Sequence, residues 1–275
     1  MKYVFSVLCG LLFILSSAQD NRSFQQINDS ILAEAHLIYK YDKAFTMAMN
    51  AVEANRKLSK SAGEILVMPK NDTIYSLVFD KENPKAIVAE MKFNISTEDS
   101  ALMAVSTRAA KEEELVYLDL KHKIMANIQS KYSVDYGKGN EYLNPIFFPF
   151  TEKIRGQEIQ LYKFYLTTET SAANTIPFGR DYMFIAKEDG SVIYNLQFNT
   201  YMPVTISQDM LESETVEITY PEREHYMTPT DIFLFTKYGA PKGISFFRVV
   251  STYLANSIFH YDWERDTLDV VMPEE

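Results

Sequence analysis

The sequence predicts an α+β protein: an N-terminal helix, a three-strand antiparallel meander and a second long helix, then a strand-rich C-terminal half with a mixed sheet. Three observations carry that expectation. Apolar residues recur three or four apart over residues 31–52, and again in a stretch ending near Tyr132. Short runs rich in Val, Ile, Tyr and Phe lie between and after these stretches. Gly, Pro, Asn and Asp punctuate the runs at hairpin-like spacing.

The elements follow in order. Met1-Lys2, an uncharged run from Tyr3 to Leu15 and Ser16-Ser17-Ala18 form the tripartite pattern of a signal peptide. The expectation is therefore cleavage after Ala18 and an exported chain in the periplasm, at the cell surface or secreted. The apolar run is shorter than the roughly 20 residues that a membrane-spanning helix needs, and no later stretch reaches that length. Asn28-Asp29-Ser30 offers N-cap residues for a helix with Ile31, Ala35, Ile38, Phe45, Met49 and Val52 on one face, ended by Lys57 to Gly63. Strands are expected at 64–68, 73–79 and 86–93. Ser96 to Asp99 offers a cap for a helix to about Tyr132, with Leu102, Val105, Ala109, Val116, Leu120, Ile124 and Ile128 as its stripe. The run Glu112-Glu113-Glu114 reads as a solvated face. Gly137 to Asn140 is the best boundary, dividing a region 19–140 from a region 141–275. Further strands are expected at 159–166, 183–186, 192–198, 216–220, 246–250, 258–261 and 268–271, with Thr167 to Asn174 as a polar loop. Lys187-Glu188-Asp189-Gly190 is a hairpin turn, and Thr228 caps a helix over 230–238.

Composition narrows the function classes. The net charge is −10, and one unit more negative once Lys2 is removed, so nucleic acid is not an expected partner. The single cysteine, Cys9, lies inside the signal run, so the mature chain would hold no disulfide and depend on its core. With 18 Tyr and 18 Phe against one Trp, that core is aromatic. Gly137-Lys138-Gly139 lacks the rest of a phosphate-binding loop. The four histidines, His36, His122, His225 and His260, show neither His-x-His nor His-x-x-x-His spacing. No metal, cofactor or complete catalytic set is therefore expected.

One spacing stands apart. Ile218-Thr219-Tyr220-Pro221 ends an apolar run, residues 221–227 fill the gap after Tyr220, and Thr228-Pro229-Thr230-Asp231 opens the next helix. This pattern resembles the JAMM/MPN-type metalloproteases, which carry His-Ser/Thr-His-Pro on a strand and, seven residues on, Ser-x-x-Asp at a helix start. The resemblance implies an MPN-like C-terminal domain. In that family the two histidines and the aspartate hold zinc. Here Ile218 and Tyr220 occupy the histidine positions, and neither hydrocarbon nor neutral phenol can replace imidazole. Thr219, Pro221, Thr228 and Asp231 would then be vestiges of a site. Thr and Asp at a helix start also serve as cap and first-turn acid with no metal in their history. Residues 145–275, from Ile176-Pro177-Phe178-Gly179-Arg180-Asp181-Tyr182 through Met227 to Ile232, are also similar to a group of uncharacterised exported bacterial proteins. Three readings follow: a non-catalytic binding or scaffolding protein of the bacterial envelope or exterior, with an unknown protein or small-molecule partner; a secreted hydrolase built around Asp231 with His225 or His260; and a small-ligand carrier.

Overall fold

The computed structural model describes residues 23–71, 73–94, 103–137, 139–154, 156–220, 226–254 and 256–272. The signal run 1–18, the expected cap Ser96 to Asp99, Leu102, Lys138, Pro221 and His225 lie outside the described residues. The class is α+β, as the sequence predicts.

Helix α1 (Phe24–Ala54) starts earlier than Asn28. Ser23 forms a capping box with Gln26: its Oγ accepts from the Gln26 N–H at 3.2 Å, and its own N–H donates to Gln26 Oε1 at 3.0 Å. Asn28, expected at the cap, is instead buried inside the helix and donates from Nδ2 to the Leu268 carbonyl at 2.8 Å. The helix buries Ala35, Ile38, Tyr41, Ala44 and Ala48, while Met49 stays exposed. A one-turn helix α2 (Leu58–Ser61) leads into the meander. Strands β1 (Ala62–Lys70), β2 (Thr73–Asp80) and β3 (Ala86–Asn94) pair antiparallel in that order, as expected.

The second long helix is shorter than its pattern suggested. Two short strands, β4 (Met103–Ala104) and β5 (Arg108–Ala109), pair with β3, and α3 spans Glu112–Lys131. Val105 and Ala109 are therefore not helical, and Val116 is exposed; Leu118, Leu120, Ile124 and Ile128 form the buried face. Arg108 explains the break. Its guanidinium grips both carboxylate oxygens of Glu114 at 2.7 and 2.8 Å and reaches Glu90 Oε2 at 2.7 Å, while Glu114 also accepts from the Lys111 N–H at 2.7 Å. One residue of the acidic run, Glu114, is thus a buried cap rather than part of a solvated face.

Strands β6 (Glu141–Ile154), β7 (Gln157–Thr170), β9 (Tyr182–Ala186) and β10 (Val192–Gln197) form an antiparallel sheet in the order β10-β9-β7-β6. Pro145 and Pro149 concealed β6 in the sequence. They are tolerated because β6 is an edge strand of this sheet, where a missing N–H need not break a ladder. The expected polar loop from Thr167 is strand as far as Thr170, with Thr167, Thr168 and Glu169 buried. Strands β8 (Thr175–Phe178) and β11 (Met202–Thr205) make a separate pair, and α4 (Gln208–Ser213) follows.

The last sheet is mixed: β12 (Thr215–Tyr220) runs parallel to β13 (Phe246–Ser251), and β14 (Ser257–Asp262) and β15 (Thr267–Val271) continue antiparallel. A parallel pair needs a crossover. Here it carries α5 (Pro229–Leu234), which continues as a π-helical turn over Phe235–Gly239. The largest apolar cluster joins Ala35, Ile38 and Tyr41 of α1 to Tyr165, Val216, Ile232, Phe235, Phe247 and Phe259, so the core crosses the Gly137 to Asn140 segment.

Candidate functional site

Side chains alternate along β12. Val216, Ile218 and Tyr220 point inward and are buried, whereas Glu217 and Thr219 face out. Past Tyr220, Thr228 caps α5 with Pro229 at its first position, where a missing N–H costs nothing. Thr228 Oγ1 accepts from the Asp231 N–H at 3.2 Å, and Asp231 Oδ2 accepts from the Thr228 N–H at 2.8 Å. The Thr228 and Tyr220 hydroxyls both donate to that same carboxylate oxygen. Tyr220 and Asp231 are 0% and 1% exposed. Burial raises the Asp231 pKa, and the three donors partly offset it. Of the motif residues described, Tyr220, Thr228 and Asp231 meet; Ile218 shares their inner face, and Thr219 points away.

The segment from Ile176 to Tyr182 arrives at the same place. Its turn requires left-handed backbone at Gly179 (φ 77°), where a Cβ would sit 2.1 Å from the Thr200 carbonyl oxygen. Arg180 is also left-handed (φ 60°) and is held by its guanidinium, 2.8 Å from Glu141 Oε2 and 4.5 Å above the Tyr201 ring. Asp181 is thereby driven fully into the interior. Its Oδ1 accepts from the Thr168 N–H at 2.6 Å, and its Oδ2 has no partner in good hydrogen-bond geometry among the described residues. Burial pushes this carboxyl well above the usual range, and the nearby Asp231 pushes it further; Thr168 and Thr230 pull the other way. The two segments behind the resemblances therefore converge on one buried polar cluster, Thr168, Asp181, Tyr220, Thr228, Thr230 and Asp231.

A second cluster joins four distant parts of the chain. Lys237 Nζ, on the π-helical turn, lies 3.0 and 2.9 Å from the two Asp42 oxygens and 2.6 Å from Glu169 Oε1. Asn144 Nδ2 donates to Asp42 Oδ1 and Glu169 Oε1, both at 2.9 Å, and the Tyr142 hydroxyl donates to Glu169 Oε2 at 3.1 Å. Sequence reasoning missed this cluster because its members sit on α1, β6, β7 and the crossover, at no fixed spacing. Two buried carboxylates against one ammonium favour keeping a proton, and burial raises the Asp42 pKa from 3.8 to about 7, with Lys237 lowering it and Glu169 raising it. The folded state thus holds a proton that the unfolded chain releases. This contribution to stability is full below about pH 4 and is lost as pH rises towards 7, each unit being worth about 1.4 kcal/mol. Tyr142 and Tyr238 flank the group, and burial raises both of their pKa values, so neither titrates in that window. Urea melts at pH 4.5 and 7.5 should show the decline, and Asp42→Asn should flatten it; an unchanged slope in that variant would assign the proton elsewhere.

The three described histidines lie apart from both clusters. His36 pairs with Asp266 at 2.8 Å and His122 with Glu64 at 2.7 Å. His260 stands on the outer face of the last sheet, where its Nδ1 accepts from Arg248 Nε at 3.2 Å. Burial and the Arg248 charge lower its pKa. Among the described residues no three His, Cys, Asp or Glu side chains converge as metal ligands would. The residues facing Asp231 do not fit a metal either: Ile218 offers hydrocarbon, and Tyr220 already spends its proton on the carboxylate. Compared with known proteins, the chain matches no family model, no curated protein and no solved structure.

Proposed function

We propose that this is an exported, non-catalytic binding or scaffolding protein, and that β12, α5 and β13 are a metalloprotease-like unit in which hydrogen bonds have replaced the metal. The export part rests on the signal-like residues 1–18. One observation supports the rest: at the second histidine position Tyr220 turns inward and donates its hydroxyl to Asp231, the residue at the metal-binding aspartate position. A buried carboxylate saturated by a phenol, a threonine hydroxyl and a backbone N–H stabilises a helix start. Its Oδ2 is fully engaged by these donors, and at 1% exposure the group has no path to a substrate.

The test is metal content, in the natural chain and in a variant that restores the family's ligands. After zinc loading and dialysis, the natural mature chain should retain far less than one zinc. Ile218→His/Tyr220→His, which returns two imidazoles to the face shared with Asp231, should retain about one, since catalytic zinc sites use three protein ligands. Stoichiometric tight zinc in the natural chain would overturn the non-metal reading. A folded double variant that holds none would overturn the metalloprotease-like one.

A further inference from the structure

We infer that the free edge of β10 is a pairing surface for a second copy of this chain, joining two four-stranded sheets into one. The inference goes beyond the reading above and does not depend on it. A sheet edge presents unpaired N–H and C=O groups, and proteins close such edges with charge, proline or very short strands. Among the described residues, every other edge strand carries one of these devices. β1 has Glu64, Pro69 and Lys70, β6 has Pro145 and Pro149, β8 has Pro177 and β11 has Pro203. β12 and β15 carry Glu217 and Asp269, while β4 and β5 are only two residues long. β10 has none of them: residues 191–201 contain no charged side chain and no proline. Its one irregularity, a bulge between Val192 and Tyr194, leaves Tyr194 to Gln197 in regular register with β9.

The ladder shows which groups are available. The Phe198 N–H donates to the Asp181 carbonyl at 2.8 Å, continuing the register that pairs Gln197 with Tyr182. Bonding direction alternates along an antiparallel strand, so Leu196 and Tyr194 also bond towards β9, and Asn195 and Gln197 turn outward. Both outward residues are exposed, and neither has a backbone hydrogen bond on that side among the described residues. A second copy related by a two-fold axis at Leu196 satisfies them. Asn195 of each copy then exchanges both N–H···O bonds with Gln197 of the other, and the two Leu196 side chains meet across the axis. Charge favours a second copy as the occupant. At a net charge of −10 two copies repel over most of their surface, and this edge lets them meet with no opposed acids. Antiparallel pairing also sends the acidic turn at Glu188 and Asp189 of each copy to opposite ends of the new ladder.

The experiment is sedimentation velocity on the mature chain, with amide hydrogen exchange read at both ends of the concentration series. One strand pair buries less than a standard interface, so a Kd of about 10–100 μM is expected, and a series from about 5 to about 500 μM brackets it. The Asn195 and Gln197 amides should gain about threefold protection or more at the upper end, while those of Tyr194 and Leu196 change little. Asn195→Lys should weaken association about tenfold or more, because two ammonium groups then flank the axis. Asn195→Pro should abolish association yet leave β10 on β9, since the N–H it removes points outward. A chain that stays monomeric throughout would leave the edge to a strand of a different protein and overturn the inference. So would a dimer whose Asn195 and Gln197 amides gain no protection, or a folded Asn195→Pro or Asn195→Lys that associates as before. Should Asn195→Pro not fold, Asn195→Lys decides, because that side chain is exposed and its exchange leaves the monomer intact. The zinc measurement does not involve this edge, so the two readings fail separately.

Discussion

Lys237→Met is expected to cost the folded state about 3–5 kcal/mol, the range for removing one partner of a buried ion pair. Methionine keeps the apolar stem that crosses the core, so the loss isolates the charge. Asp42 and Glu169 are 3% and 5% exposed, and without the ammonium they face each other across Asn144. Lys237 itself is 19% exposed in its side chain, so water reaches one side and the lower end of the range is expected. The diagnostic is rescue. Asp42→Asn in the Lys237→Met background should recover part of the loss, since without Lys237 the folded state must either bury a second charge or take up a proton at Asp42, and the amide does neither while still bonding Asn144. Urea unfolding at pH 7.5 of the single and double variants checks it. A single variant within about 1 kcal/mol of the natural chain would mean that the cluster is held by protons rather than by Lys237.

That cluster also marks where the sequence stops being readable. Local periodicity exposed the meander, the strands expected at 183–186, 192–198 and 268–271, and the β12 to α5 spacing, because each depends on neighbours a few residues apart. Failures came where a distant partner overrode the local signal. Arg108, fixed by Glu90 and Glu114, ended a helix that apolar spacing would have carried back to Ser96. The aromatic stretch between Pro145 and Pro149 carried no strand expectation, yet it lies in an edge strand. Thr167 to Thr170 read as polar loop because the buried partners of that stretch, Asp42, Asn144 and Lys237, were invisible at a distance. The candidate site was half legible. The spacing from Tyr220 to Asp231 was in plain view, whereas the approach of Asp181 depends on a left-handed turn at Gly179 and Arg180 that composition does not announce.

The two buried aspartates should differ in how much their substitution costs. Asp231→Ala removes the acceptor of the Tyr220 hydroxyl, the Thr228 hydroxyl and the Thr228 N–H together, inside a region closed to solvent. With each stranded buried donor costing about 1–3 kcal/mol, the loss should be about 3 kcal/mol or more, and α5 should lose its cap. Asp181→Asn should stay within about 1 kcal/mol at neutral pH. Burial and Asp231 keep the Asp181 carboxyl protonated far above its ordinary range, so an isosteric amide retains a neutral acceptor for the Thr168 N–H. Burial raises both carboxyls, so the sign of the pH effect is the same for both and the size of the loss at neutral pH separates them. A carboxyl whose folded pKa is raised contributes stability that is complete below its unfolded pKa and erodes as pH rises. Asp181→Asn should therefore gain on the natural chain as pH increases, while Asp231→Ala should remain destabilised throughout. Thermal melts of both variants between pH 5 and 9 measure this directly. A large loss in Asp181→Asn at neutral pH would show that its carboxyl works as an ion, and would place a cation or an unseen donor beside Oδ2.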